Sequence, residues 1–143
     1  MRGKSDGSKI EPMTKLGKSI SFLLTGMIVI VPAFSQSEEE LVKAMKTVGK
    51  TMGELRKANE AKDDAALKAG GQVLVDQFTI AAKFWASHKM ADATEMNSKT
   101  IAAAKSLAAG TGEFASVGAT CKGCHDMYRE KLADGSYKLK MSH

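Results

Sequence analysis

The chain has 143 residues with two Cys, two Pro and 13 Gly, and is 43% apolar and 26% charged, an ordinary composition for one globular domain. That excludes a disordered tail, a collagen-like fibre and a disulfide-dense scaffold. The formal charge of +5 argues for anionic partners only if every basic residue belongs to the mature protein.

The N-terminus bears on that condition. Arg2, Lys4, Lys9, Lys15 and Lys18 precede an uncharged run from Ile20 to Val31, followed by Pro32-Ala33-Phe34-Ser35. This basic, apolar, small-residue order is that of a secretory signal peptide cleaved after Ser35, so residues 1–35 are expected to be a leader and 36–143 the mature domain. The apolar run falls short of the roughly 20 residues that a membrane-spanning helix needs. Met13 opens a more typical leader than Met1, and either can be the translation start. Without the leader the two signs of charge are nearly balanced and interspersed. No Lys/Arg cluster with interleaved aromatics remains, and with it goes the compositional case for a nucleic-acid partner.

Aromatics are only 6% while Met reaches nine, and long stretches of Ala, Lys, Glu, Leu and Met favour helix over strand. The first predicted helix runs from about Ser37 to Glu60, with Leu41, Met45, Val48, Met52 and Leu55 spaced in alternate steps of four and three and Glu38-Glu39-Glu40 suited to its start. The second is capped by Asp63 or Asp64 and carries Leu67, Gly71, Leu74, Phe78, Ala81 and Trp85 at the same spacing. Val73-Leu74-Val75 alone would suit a strand, but the seam continues to Trp85, with Gly70-Gly71 permitting a close approach or a kink. A third helix, capped by Asp92, carries Met96, Ile101, Ala104, Leu107 and Ala108 up to Gly110. A fourth runs from about Glu113 to Ala133 and is ended by Asp134-Gly135, leaving residues 136–143 as a polar tail. Long helices on short links imply an all-α fold, an antiparallel up-and-down four-helix bundle.

The segment Cys121-Lys122-Gly123-Cys124-His125 is a C-x-x-C-H match, which reads as a c-type haem attachment site. Cysteines at i and i+3 share a helix face, where both thiols can add to the two vinyl groups of one haem. His125, four residues after Cys121, projects from that face and can reach the iron as proximal ligand. A disulfide suits this spacing poorly in a regular helix. Structural zinc needs four ligands, and the remaining histidines, His88 and His143, stand at no zinc-finger spacing. A thioredoxin-like dithiol wants a parallel sheet, and none is predicted. His88, at a helix end, can coordinate iron or cap the helix; Trp85 and Phe78 are expected in the core near the haem.

His125 lies close to the C-terminus, whereas small mitochondrial-type cytochromes carry their motif near the N-terminus. The segment Val117-Gly118-Ala119-Thr120-Cys121-Lys122-Gly123-Cys124-His125-Asp126-Met127-Tyr128-Arg129 resembles the signature helix of the cytochrome c′ family, the class II cytochromes c. Lys43-Ala44-Met45-Lys46-Thr47-Val48-Gly49-Lys50-Thr51-Met52-Gly53-Glu54-Leu55 is similar to its first helix. The resemblance implies one haem c held by Cys121 and Cys124, His125 on its iron, and Arg129, four residues on, packed beside the proximal face or simply solvated. Met45 matches the position over the distal face, where low-spin members place a sixth ligand and high-spin members an unligated shield. Where the family usually has Arg four residues earlier, this chain has Leu41, and Lys43 or Lys46 can replace its contact to a haem propionate. Two functions follow: a periplasmic one-electron carrier that exchanges electrons with larger redox proteins, or a five-coordinate haem protein binding nitric oxide or carbon monoxide. Catalysis would need an acid–base residue on the distal side, and the first-helix seam has none. Homodimers are common in the family, and the first two helices could supply the interface.

Overall fold

Ser37 and Glu40 cap each other: the Ser37 hydroxyl accepts from the Glu40 amide at 3.2 Å, and the Glu40 carboxylate accepts from the Ser37 amide at 2.9 Å. This reciprocal pair satisfies two donors that a helix start leaves orphaned, and it opens α1, Glu38–Ala61. The structure, a computed structural model, describes residues 37–141. The expected leader and its cleavage after Ser35 lie outside the described residues, as does His143.

Lys62 takes a left-handed φ of 55°, and the Asp63 amide closes the end of α1 on the Ala58 carbonyl at 2.9 Å. Asp63, of the two candidates, is the cap of α2, Asp64–Ser87, accepting from the Ala66 amide at 2.9 Å. After a link over 88–90 comes α3, Ala91–Ala109, which ends at Gly110 with φ 74°. Here the sequence reading is corrected. Asp92 sits inside the first turn and Met90 stands at the cap with no side-chain bond. A fourth helix, α4, spans Phe114–Tyr128.

The end of α4 is the larger correction. The helix stops at Tyr128, five residues before Ala133, and the expected tail folds back as an antiparallel hairpin of β1, Arg129–Lys131, and β2, Tyr137–Leu139. Asp134-Gly135 is therefore a hairpin turn and not a helix terminator. Gly135 has φ 83°, and the Asp134 carboxylate accepts from the Ser136 amide at 2.9 Å and the Ser136 hydroxyl at 2.6 Å. An Asx-type turn with a glycine at positive φ is the local chemistry that reverses a chain.

The described residues thus form four helices and one two-stranded sheet, mostly helical as expected. Their core has two clusters. In one, Val48 and Leu55 of α1 pack with Leu74 and Phe78 of α2, Ala104 and Leu107 of α3 and Val117 of α4. In the other, Leu41 packs with Ala81, Phe84 and Trp85, Ala93 and Tyr128. Each cluster joins one end of every helix to an end of its neighbours. On α3 the buried face is Ala93, Asn97, Thr100, Ala104 and Leu107, leaving Met96, Ile101 and Ala108 at its edges. Gly71 is buried where α2 meets α3 most closely: a Cβ there would lie 2.6 Å from the Ala108 backbone nitrogen. Among the described residues no helix is long and apolar enough to cross a membrane.

Candidate functional site

The last turns of α4 carry the C-x-x-C-H residues. Cys121, Cys124 and His125 are half-buried on one wall, while Lys122 and Gly123 between them face solvent, as i, i+3, i+4 spacing requires of a helix. The wall faces a cavity of about 750 Å³. Opposite stand Leu41, Met45, Val48 and Met52 of α1; Phe78 and Trp85 of α2 and Asn97 and Thr100 of α3 form the floor; Tyr137, Lys138 and Leu139 of the hairpin close one side. Met45, Cys121, Cys124, His125 and Arg129, the residues that the resemblance sets around a haem, line this one space.

Both thiols are free. Cys121 donates weakly to the Val117 carbonyl, Sγ to O 3.4 Å. Burial pushes its pKa above the ordinary thiol value, with the Thr120 contact a smaller opposing influence. Burial also raises Cys124, and the neighbouring Cys121 adds to the effect. His125 is shifted the other way: burial first, then the Arg129 charge, lowers its pKa, against a weaker opposing pull from Asp126. The shift favours the neutral imidazole, the form that binds a metal. It makes no side-chain hydrogen bond among the described residues.

Arg129 is not where helical spacing put it. As the first residue of β1 it leaves the α4 axis, and its guanidinium lies 3.9 Å from the centroid of the Tyr137 ring. It still borders the cavity, from the hairpin. Of the two lysines offered in place of the missing Arg at Leu41, Lys46 lines the cavity, whereas Lys43 lines a separate groove with Glu40 and Gln77. Among the described residues the cavity wall holds three cations, Lys46, Arg129 and Lys138, and no Asp or Glu.

Met45 and Met52 are half-buried beside the fully buried stripe of Leu41, Val48 and Leu55. Leu41 and Val48 serve both the core and the cavity wall, and the two methionines line the cavity from the edge of that stripe. Tyr128, 3% exposed, packs its ring against Trp85 with centroids 5.2 Å apart. His88 is the exposed end of α2: its Nδ1 is 2.9 Å from the Phe84 carbonyl oxygen and its ring rests on Phe84. Of its two readings, capping fits its position.

Sequence reasoning missed Tyr137, Lys138 and Leu139 because the hairpin was read as a tail, although Asp134-Gly135 was there to signal it. It also missed Asn97 and Thr100, whose spacing with Ala93, Ala104 and Leu107 marks a buried face that apolar residues alone do not reveal. Among the described residues no three His, Cys, Asp or Glu side chains converge on one point, so the two thiols and the imidazole do not form a cage for a bare metal ion. Compared with family models, curated proteins and solved structures, the chain finds no match.

Proposed function

We propose that this chain is an exported c-type cytochrome, a periplasmic carrier of single electrons, built as an antiparallel up-and-down four-helix bundle with one haem attached to α4. The observation that carries the reading is that Cys121, Cys124 and His125 share one cavity with Met45. The space is of the size that encloses a cofactor, about 300–1,000 Å³. It is mainly apolar deep inside and bordered by cations, matching a flat apolar ring system that ends in two carboxylates.

When bound, haem supplies a one-electron iron couple whose potential the axial ligands and the surrounding dielectric set. Cys121 and Cys124 would hold it through thioethers, and His125 would bind its iron through the neutral imidazole. Leu41, Val48, Phe78 and Trp85 keep water away from the enclosed side.

Register supports Met45 over Met52 as the distal ligand. The Gly118 position approaches Met52, whose Cε would be 3.8 Å from a Cβ placed there. Leu41 and Met45 near the start of α1 pack with Tyr128 at the end of α4, while Leu55 and Met52 pack with Val117 and Phe114 at its start. In such an antiparallel pair, stepping two turns along each helix from Met52 and Gly118 brings Met45 level with His125.

A five-coordinate protein that binds nitric oxide or carbon monoxide is the second reading. It is favoured by one observation: Met45 packs against both core clusters, which suits a shield as well as a ligand. We propose no enzymatic turnover, since among the described residues no carboxylate lines the cavity to serve as acid or base. The experiment is production of the protein with c-type haem maturation, extraction with acidified organic solvent, and an oxidised absorption spectrum. Haem that resists extraction, with a long-wavelength methionine–iron band, is the expected result. Extractable haem overturns the central reading, and a high-spin spectrum transfers it to gas binding.

A further inference from the structure

The cations that border the cavity are not equally free. Lys138 is paired with Glu130 across the hairpin at 3.2 Å, whereas Lys46 and Arg129 form no ion pair among the described residues. Arg129 instead sits over the Tyr137 ring, guanidinium carbon to ring centroid 3.9 Å. Arg129 and Tyr137 are diagonal neighbours on one face of the hairpin, since Arg129 pairs with Leu139 and Tyr137 with Lys131. A cation–π contact of this kind uses none of the five guanidinium N–H donors, which can still serve a carboxylate. Tyr137 is 51% exposed, so burial does not account for its place. The backbone does: the Leu132 amide donates to the Ser136 carbonyl at 2.8 Å, and the Lys140 amide to the Tyr128 carbonyl at 2.9 Å. The hairpin thus hangs on the last residue of α4 and presents the Arg129 cation to the cavity that the two thiols also line.

We propose that the β1–β2 hairpin is an anion clamp for the carboxylates of the bound haem, in which the Tyr137 ring positions the Arg129 guanidinium at the cavity rim. It rests on the haem reading above and moves the carboxylate contact from the start of α1, where Leu41 cannot make it, to the C-terminal hairpin. Tyr137 acts through Arg129 and is a positioning residue.

The test uses the full chain carrying Cys121→Ala and Cys124→Ala, titrated at low salt with ferric protoporphyrin IX and with its dimethyl ester, whose carboxylates are blocked. The free acid is expected to bind about tenfold more tightly than the ester, the scale of one hydrogen bond between charged partners. Arg129→Gln should abolish that preference and Tyr137→Ala should reduce it. Tyr137→Phe, which keeps the ring, should restore it. Protection of the Leu132 and Lys140 amides from exchange reports whether each variant keeps the hairpin, and the Arg129→Gln and Tyr137→Phe results decide the matter if Tyr137→Ala does not. Equal binding of acid and ester by the parent overturns the clamp and leaves the haem reading standing. A preference that survives Arg129→Gln, or one that Tyr137→Phe loses, also overturns it. Failure of the unmutated chain to carry extraction-resistant haem overturns the haem reading and the clamp together, and failure of the Cys121→Ala/Cys124→Ala chain to bind the free acid overturns the clamp alone.

Discussion

The Asn97 side-chain amide donates to the Phe78 carbonyl oxygen at 2.8 Å, a hydrogen bond out of reach of water that ties α3 to α2. Both residues also face the cavity, so the bond fixes the floor of the candidate site. Asn97→Ala should lower stability by about 1–3 kcal/mol, the usual penalty for losing a buried hydrogen bond. Asn97→Asp should cost more, because a carboxylate would then oppose a carbonyl oxygen. Urea denaturation measures both, and an unchanged midpoint in Asn97→Ala would show that the bond contributes nothing.

Two glycines predict opposite signs for the same substitution. A Cβ at Gly71 would meet the Ala108 backbone at 2.6 and 2.9 Å, and since backbone cannot swing aside, α2 and α3 must separate. Gly71→Ala should destabilise by about 1–3 kcal/mol, as overpacking does. At Gly53 nothing among the described residues lies within 4 Å, and Gly53→Ala in the middle of α1 should stabilise by roughly 0.5–1 kcal/mol. Denaturant midpoints moving in the same direction would refute this account of the α2–α3 contact.

For the distal position, the register between α1 and α4 gives distinct outcomes for two methionines on one cavity wall. Met45→Ala in the haem-loaded protein should remove the methionine–iron band and create carbon monoxide binding, while Met52→Leu should keep the band. Loss of the band in Met52→Leu alone would reverse the assignment. Met45→Ala also removes contacts to both clusters, so its melting temperature should fall as well.

The hairpin turn carries a pH dependence of defined sign. The Ser136 hydroxyl, and after it the Ser136 amide, hold the Asp134 carboxyl below its ordinary pKa. A carboxylate depressed in the folded state contributes stability that is present above the unfolded value and is lost as pH falls through the folded one. Exchange protection at Ser136 should therefore be constant from neutral pH down to the ordinary Asp range and drop below it. Asp134→Ala should show the low-pH level throughout. Protection that declines already near pH 6 would point to another group.

The helical parts were legible because their signals are local and repeated. Ser37 with Glu40, Asp63 before Leu67, and the four-and-three spacing on α1 and α2 all describe what forms. Cys121, Cys124 and His125 were legible as one helix face, since their shared wall follows from helical spacing alone. The end of α4 was not, because Asp134-Gly135 suits both a helix stop and a hairpin turn, and β1 and β2 are each too short to show alternation. What decides between the two is tertiary: Arg129 on Tyr137 and Glu130 against Lys138 are contacts across a turn that no linear pattern contains. Apolar periodicity likewise overlooks Asn97, whose burial depends on a partner in another helix.

Met45 touches both core clusters, and the cavity beside it runs from one to the other, with Val48 and Phe78 of the first and Leu41, Trp85 and Tyr128 of the second on its walls. An occupant of this space would touch both at once. With it, they would melt as one cooperative unit, and the free energy of holding the occupant would be added to that of the whole domain.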